Sequence, residues 1–243
     1  MWNPTEPRIA YISEIIKTIG MLNKRDVIKL GGMTDCFQPI EAIEKVTYNT
    51  VKILNKHRIN YLIVTKSSLV SSDEYINIYD KKLAHFQITI TATDDKNCIN
   101  YENASVTSER IKSIEKLFKL GFDVSIRLSP FIEQYIDFNV LNKIKSRKIL
   151  IEFLKVNHWV KKWFDIDYSE YSTKYGGYEH LPLGEKIKLV NKITGFEQVS
   201  IGEYVKNHYE YFRENTNYNK EDCCNLDIRY FLECEQVEMR LEI

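Results

Sequence analysis

Gln87-Ile88-Thr89-Ile90-Thr91-Ala92-Thr93 places a polar side chain at every second position, and Asp123-Val124-Ser125-Ile126-Arg127-Leu128-Ser129 repeats the pattern. Successive side chains of a strand point to opposite faces, so each stretch has one polar and one apolar face. A parallel strand covered by helices on both sides reads as apolar throughout. The polar faces therefore look into a wet or ligand-filled space, while Ile88, Ile90, Val124, Ile126 and Leu128 carry a helix layer. An edge or antiparallel strand with one solvated face is the other explanation, but two consecutive units at an edge fit less well. A curved sheet or partial (β/α) barrel around a polar-lined cavity is preferred over an open doubly wound sheet.

Outward from these two stretches, further strands read at Val27–Leu30, Tyr61–Thr65 and Ile149–Val156, with the first pair extended to Phe86–Thr93 and Asp123–Leu128. Successive starts lie 34, 25, 37 and 26 residues apart, the spacing of βα units with parallel return strands. Helices read at Glu41–Asn55, Ser71–Tyr79, Ser108–Leu120 and Phe138–Lys145, the third with Ile111, Ile114, Leu117 and Phe118 on one face and Gly121 as its stop. Tyr11, Ile15, Ile16, Ile19 and Met21-Leu22 make an amphipathic helix with Pro7 near its start, and no strand precedes it. The reading is thus an α/β chain: a partial (β/α) barrel of parallel strands missing its first strand, over 1–157, with a helical, aromatic-rich C-terminal extension over 158–243. Within that extension, His158–Phe164, Leu183–Ile193 and Glu203–Asn215 are helical, Gly176-Gly177 marks a loop and Gln198–Ile201 a short strand. The Glu-rich last ten residues read as a solvated tail or an edge element.

Composition narrows the classes. The 34 Lys and Arg cancel the 34 Asp and Glu, so no whole-molecule field gathers nucleic acid. No apolar run approaches the roughly 20 residues of a membrane span, and Met1-Trp2-Asn3-Pro4 lacks the features of a signal peptide. Five cysteines at low density suit a reducing compartment, so a cytoplasmic protein without membrane association is expected.

Polar residues cluster at the carboxyl ends of the strands, where βα proteins build their sites: Gly31-Gly32-Met33-Thr34-Asp35, Thr65-Lys66-Ser67, Thr91 to Asp95, Arg127 to Ser129 and Lys155-Val156-Asn157. Gly31-Gly32 lets backbone N–H groups approach an anion, Lys66 suits a carboxylate or phosphate, and Asp35 suits an amine. Each alone also reads as a turn or a solvated tip; their shared rim favours function. Neither G-x-x-x-x-G-K-[ST] nor G-x-G-x-x-G occurs. The five histidines are scattered, and Cys223-Cys224 with Cys234 read as buried thiols rather than metal ligands. Residues 158–218 hold 13 of the 30 aromatics, with Lys161, Lys162, Lys174 and Arg213 among them. Such a mixture can stack on bases or sugars, but packing by Trp159, Phe164, Tyr204, Tyr211 and Phe212 explains most of it.

Ile28-Lys29-Leu30-Gly31-Gly32-Met33-Thr34-Asp35-Cys36-Phe37-Gln38-Pro39-Ile40-Glu41 resembles the second-strand block of radical SAM proteins related to spore photoproduct lyase, the DNA repair photolyase group. Thr65-Lys66-Ser67, Ile88-Thr89-Ile90-Thr91, and Glu102 with Ser108 and Arg110 agree with further blocks in order, over about residues 2–157. The resemblance implies a partial (β/α) barrel that binds S-adenosylmethionine and a [4Fe–4S] cluster and generates a 5′-deoxyadenosyl radical. Gly31 and Gly32 would meet the amino end of the methionine moiety, and Thr65, Lys66 and Ser67 with the polar face of the fourth strand would reach the carboxylate and ribose. Thr34, Asp35, Thr89, Thr91, Ser125 and Arg127 complete the implied cofactor pocket, and Cys36 is a candidate hydrogen-atom donor. A nucleic acid or a small molecule is the implied substrate.

One departure bears on the chemistry. The hallmark C-x-x-x-C-x-x-C supplies three thiolates to the cluster, and Cys36, Cys98, Cys223, Cys224 and Cys234 do not reproduce its spacing. The expectation is a truncated or split form of a lyase-like radical SAM enzyme, inactive alone, with a partner chain supplying the cluster. The alternative is a non-catalytic module that binds a nucleotide or S-adenosylmethionine, or serves as a subunit of a partner. A plain barrel enzyme using Asp35, Lys66 and Arg127 is a third reading.

Overall fold

The computed structural model describes residues 9–32 and 34–226. The chain divides into two compact units; among the described residues the first holds 9–32, 34–65, 69–86 and Leu226, and the second 66–68 and 87–225. In the first unit α1 (Ile12–Ile19) precedes β1 (Val27–Leu30), α2 (Glu41–Glu44), α3 (Val46–His57), β2 (Asn60–Thr65) and α4 (Asp73–Ile76). β3 (Ala84–Ile90) begins there and continues into the second unit, which adds α5 (Asp95–Tyr101), α6 (Thr107–Lys119), β4 (Asp123–Phe131), α7 (Phe138–Leu141) and β5 (Lys148–Phe153). It ends with α8 (Val160–Trp163), β6 (Thr173–Tyr175), β7 (Tyr178–His180), α9 (Leu183–Val190), β8 (Gln198–Ile201) and α10 (Lys206–Asn215). Six strands form a mostly parallel sheet in the order β1-β2-β3-β4-β5-β8, an α/β arrangement consistent with a partial (β/α) barrel.

In the first unit, β1 pairs in parallel with β2, Val27 opposite Asn60 and Leu30 opposite Ile63. Every residue of β2 is buried, as its Tyr61-Leu62-Ile63-Val64 run requires of a strand covered on both faces. The helix expected over Glu41–Asn55 is broken in two. Lys45 takes a left-handed conformation (φ 55°), and the buried Glu41 carboxylate turns to the start of α3. There it accepts the N–H groups of Thr47 and Tyr48, both at 2.9 Å, and the Tyr75 hydroxyl at 2.6 Å. A carboxylate at this position satisfies otherwise orphaned donors and opposes the positive end of the helix. The amphipathic first helix forms as expected, yet only its Ile19 is buried, with Tyr11 77% and Ile16 48% exposed. Pro7 lies outside the described residues.

In the second unit, β5 lies parallel between β4 and β8, with Ser125 opposite Lys148 and Lys148 opposite Gln198. Partners across a parallel pair share a face, so Ser125, Arg127, Lys148, Glu152, Gln198 and Ser200 lie on one side. Ile126, Leu128, Ile149, Ile151 and Ile201 lie buried on the other and form the core, with Val199 half-buried beside them. The segment after residue 157 carries α8, α9 and α10, but it also contributes β8 to the sheet and a β6–β7 hairpin, neither of which belongs to a purely helical extension. The Gly176-Gly177 loop is the two-residue turn of that hairpin, with φ of 58° and 81°. Such a turn favours residues that accept positive φ at both positions. A Cβ at Gly176 would lie 2.5 Å from the Tyr204 ring. Of the residues expected to pack this region, Phe212 is fully buried, whereas Trp159 and Tyr204 are exposed. The last ten residues lie outside the described ones.

Glu41→Ala removes the acceptor for three donors, and we expect a loss of about 3 kcal/mol. The shift in urea midpoint at unchanged m-value checks this; a change under about 0.5 kcal/mol would contradict the capping role.

Candidate functional site

The first unit carries the Gly-Gly turn after β1. Gly31 has φ of +86°, and a Cβ there would lie 2.0 Å from the Val64 carbonyl oxygen of β2, so its bare backbone serves the approach of two strands. Gly32 meets only aliphatic carbons of Lys29, at 3.8 Å and beyond. Thr34 is exposed. Asp35 accepts the Phe37 N–H at 2.8 Å and the Thr65 hydroxyl at 2.7 Å, so its carboxylate fastens the turn to the end of β2. Cys36 lies beside it, half-buried, its carbonyl accepting the Thr47 hydroxyl at 2.7 Å. Burial pushes the Cys36 thiol well above its ordinary range, and the Asp35 and Glu41 carboxylates add to the effect, so its sulfur keeps its hydrogen at neutral pH.

Lys66 follows β2 directly and belongs to the second unit. Its ammonium pairs with Glu102, whose other oxygen takes Arg110 Nη2 at 2.5 Å. Arg110 is completely buried on α6 and is fully engaged: Nε donates to the Ser105 carbonyl at 2.6 Å and Nη1 to the Thr89 carbonyl at 3.1 Å. The stripe that α6 buries therefore includes Arg110, while Phe118 is exposed. Burial opposes ionisation of Glu102, but the Lys66 and Arg110 charges outweigh it and hold the carboxyl below the usual range. Two cations thus share one carboxylate. Lys66 is 34% exposed at the carboxyl end of β2. Ser67 is half-exposed beside it, and the Ser68 N–H donates to Ser105 Oγ at 2.9 Å.

Along β3 and its continuation, Gln87, Thr89 and Thr91 are buried, in line with the alternation of the sequence. Neither polar atom of the Gln87 carboxamide finds a hydrogen-bond partner. On β4, by contrast, Ser125 donates to the Ile126 carbonyl at 3.2 Å, and Arg127 pairs with Glu152 through Nε at 2.8 Å and through Nη2. Lys148 pairs with Asp123 at 2.7 Å and donates to the Asn225 carbonyl at 2.9 Å. The Ser200 hydroxyl meets the Asn225 side chain at 3.0 Å. The polar face of β4, β5 and β8 is thus largely satisfied by the chain's own groups, including Asn225.

Sequence reasoning missed a buried ionic cluster. Lys186, on the Leu183–Lys186–Leu189–Val190 stripe of α9, is fully buried, pairs with Glu203 at 2.5 Å and lies 3.2 Å from His208 Nδ1. Glu203 also accepts the N–H groups of Tyr204 and Val205 at 2.7 and 3.0 Å. The signal was a lysine in phase with apolar neighbours on an amphipathic helix. Burial, reinforced by the Lys186 charge, lowers the pKa of His208; burial does the same for His180, against the pull of the Tyr175 carbonyl.

Among the described residues, no group of three or more His, Cys, Asp or Glu side chains gathers to hold a metal ion, so these residues do not fit an iron–sulfur cluster. Cys98 is buried, Cys223 and Cys224 are half-exposed, and Cys234 lies outside the described residues. The second unit does offer polar groups of the kind that bind S-adenosylmethionine: the partly exposed Lys66 ammonium and the buried Gln87 and Thr89 side chains. Nor, among the described residues, is any helix long and apolar enough to cross a membrane.

The mostly parallel sheet is consistent with a partial (β/α) barrel. Solved structures share this fold. Spore photoproduct lyase complexed with dinucleoside spore photoproduct superposes with a TM-score of 0.51 at 14% identity, over 82% of this chain and 62% of that one. A tyrosine-to-phenylalanine variant of spore photoproduct lyase gives 0.54 at 13%, over 79% and 65%. SuiB of Streptococcus suis gives 0.52 at 13%, over 86% and 48%. The chain has a radical SAM, spore photoproduct lyase-like fold, and spans less than two thirds of the length of these chains. No family model and no curated protein matches it.

Two outcomes follow from this geometry. Gly31→Ala should abolish folding or cost more than about 3 kcal/mol, whereas Gly32→Ala should stay within about 0.5 kcal/mol, compared by urea denaturation. Similar midpoints for both variants would contradict the strand-approach role of Gly31. Because the native pKa values of His180 and His208 are lowered, the unfolded chain binds more protons below the ordinary imidazole pKa of about 6.5. Stability is therefore fully present above that pH and is lost as pH falls through the lowered native values. The loss continues below the carboxylate range as Glu102 and Glu203 protonate. Melting temperatures between pH 8 and 5 check the sign; a protein that melts higher at pH 5 would contradict it.

Proposed function

We propose that the chain binds S-adenosylmethionine in its second unit, as the adenosyl-binding part of a radical SAM system of the spore photoproduct lyase-like group. The observation that carries this reading is the sharing of Glu102 by Lys66 and Arg110, which holds a lysine ammonium in a fixed position at the carboxyl end of β2. Arg110, buried and engaged by four partners, fixes Glu102; Glu102 in turn aims Lys66. A preset cation of this kind holds the carboxylate of the methionine moiety, with Ser67 beside it. The Thr89 and Thr91 positions offer hydroxyls to the ribose. Ser125 and Arg127, already engaged on their own strand pair, shape the pocket wall and give up no bond to the ligand. When bound, the group supplies an activated sulfonium; the chain's own residues orient it and keep water from its polar ends.

No described cluster of ligands accompanies this site, so we assign the [4Fe–4S] cluster to a partner chain. On this reading the chain alone is a binding module: it holds the nucleoside and catalyses no radical step. Cys36 remains our candidate hydrogen donor, in the protonated form that its surroundings favour. The lyase to which the fold is similar was crystallised with a dinucleoside, which motivates a nucleic acid as substrate of the assembled system, with a small molecule as the other class.

Isothermal titration with S-adenosylmethionine tests the binding reading. Saturable binding is expected, about tenfold weaker in Lys66→Ala and largely retained in Lys66→Arg. Failure of the wild-type chain to bind overturns it. Anaerobic reconstitution with iron and sulfide tests the module reading: no [4Fe–4S] absorption is expected, and a stoichiometric cluster on the purified chain contradicts it.

A further inference from the structure

We infer that Gln87 reads the hydrogen-bonding edge of a planar nitrogen heterocycle, an edge that sets a donor and an acceptor side by side. The inference rests on the nucleoside-binding reading above and adds to it the residue that selects the base.

Gln87 is 1% exposed, and both its Nε2 and its Oε1 are buried without a partner. Burying a carboxamide unbonded at both ends is costly, and an apolar side chain of similar size would fill the same space without the cost. The neighbouring strands show that this chain ordinarily meets the requirement: Ser125, Arg127, Lys148 and Ser200 all have bonding partners. Thr89 and Thr91, on the same face of β3 and its continuation, are buried as well. A carboxamide left open at both ends is a group kept for something that brings complementary atoms.

The chemistry of the side chain restricts what that is. A carboxamide presents one acceptor and two donors in a plane and can rotate to exchange their places. It pairs in two-point fashion with an adenine edge, as glutamine does in base recognition, or with the imide edge of a pyrimidine. Thr89 follows on the same face at about 6–7 Å along the strand, toward the carboxyl end, where a sugar attached to the base would extend. Adenine of the adenosyl group and the base of a substrate nucleoside share this edge chemistry, and the test separates them.

Thermal melting and titration calorimetry on the full chain would compare wild type, Gln87→Leu and Gln87→Glu. S-adenosylhomocysteine serves as the adenine probe and thymidine as the imide probe. Gln87→Leu is expected to melt above wild type without ligand and to bind at least about tenfold more weakly whichever probe the wild type binds. Loss with S-adenosylhomocysteine assigns the adenosyl group; loss with thymidine alone assigns the substrate and overturns the S-adenosylmethionine reading while this inference stands. If Lys66→Ala weakens S-adenosylhomocysteine binding and Gln87→Leu does not, the pocket is right and the role of Gln87 is wrong. A Gln87→Leu variant that melts lower with unchanged affinity makes Gln87 a core spacer and overturns the inference. So does a wild-type chain that binds neither probe. Should the leucine variant not fold, Gln87→Glu decides: it lacks the amide donor, and undiminished affinity there is equally fatal.

Discussion

Polar atoms placed along one face of a parallel strand must each find a partner, because water reaches a covered sheet poorly and an unbonded group there is expensive. This requirement organises most of what the second unit does. Arg127 is answered by Glu152 and Lys148 by Asp123, while Asn225 returns from the far end of the chain to meet both Lys148 and Ser200. The Gly202 position contributes by omission, since a side chain there would crowd the Glu152 carboxylate at 3.0 Å from its Cγ. The requirement goes unmet at Gln87, whose carboxamide is buried with both polar atoms unpartnered.

Two buried ionic groups use the same interior differently. In the first, a doubly engaged carboxylate orders a pair of cations, one wholly buried and one reaching the surface. In the second, Lys186 and Glu203 are both hidden and their charges cancel, with His208 beside them kept neutral by burial and by the lysine. A concealed pair of this kind contributes little to net stability but is intolerant of losing one member. Its effect is to tie α9 to the start of α10, because Glu203 also accepts two backbone N–H groups there. The cancelled pair fits architecture.

Much of the sheet was legible in the residues. Val27–Leu30 and Gln198–Ile201 were bounded correctly because short β-branched runs end at glycine or at charged residues, and the alternation in the Gln87 and Asp123 stretches described their faces as found. Helices fared worse where a side chain overrode the periodicity. Glu41 was read as the first residue of one continuous helix, and nothing local announced that it would turn to cap the next one. Ser71–Tyr79 became a single turn of 3-10 helix, Ser68–Ser71, followed by the four-residue α4, and Phe138–Lys145 shortened to α7. At the site, Lys66 with Glu102 and Arg110 was visible as blocks in order, but their sharing of one carboxylate was not, since the three lie up to 44 positions apart and only the fold makes them neighbours. Asp35 looked like a partner for an amine and is instead the fastening of its own turn.

The outer side of β8 shows how the chain handles an unprotected strand. Asn217 donates to and accepts from the backbone of Ile201 through its side-chain amide, and the Tyr218 N–H reaches the Val199 carbonyl at 3.1 Å. A few residues beyond α10 thereby imitate the ladder that another strand would supply. Anyone shortening the polypeptide after α10 would expose a bare row of amides and carbonyls, trading a tidy expression length for a surface on which copies can stack.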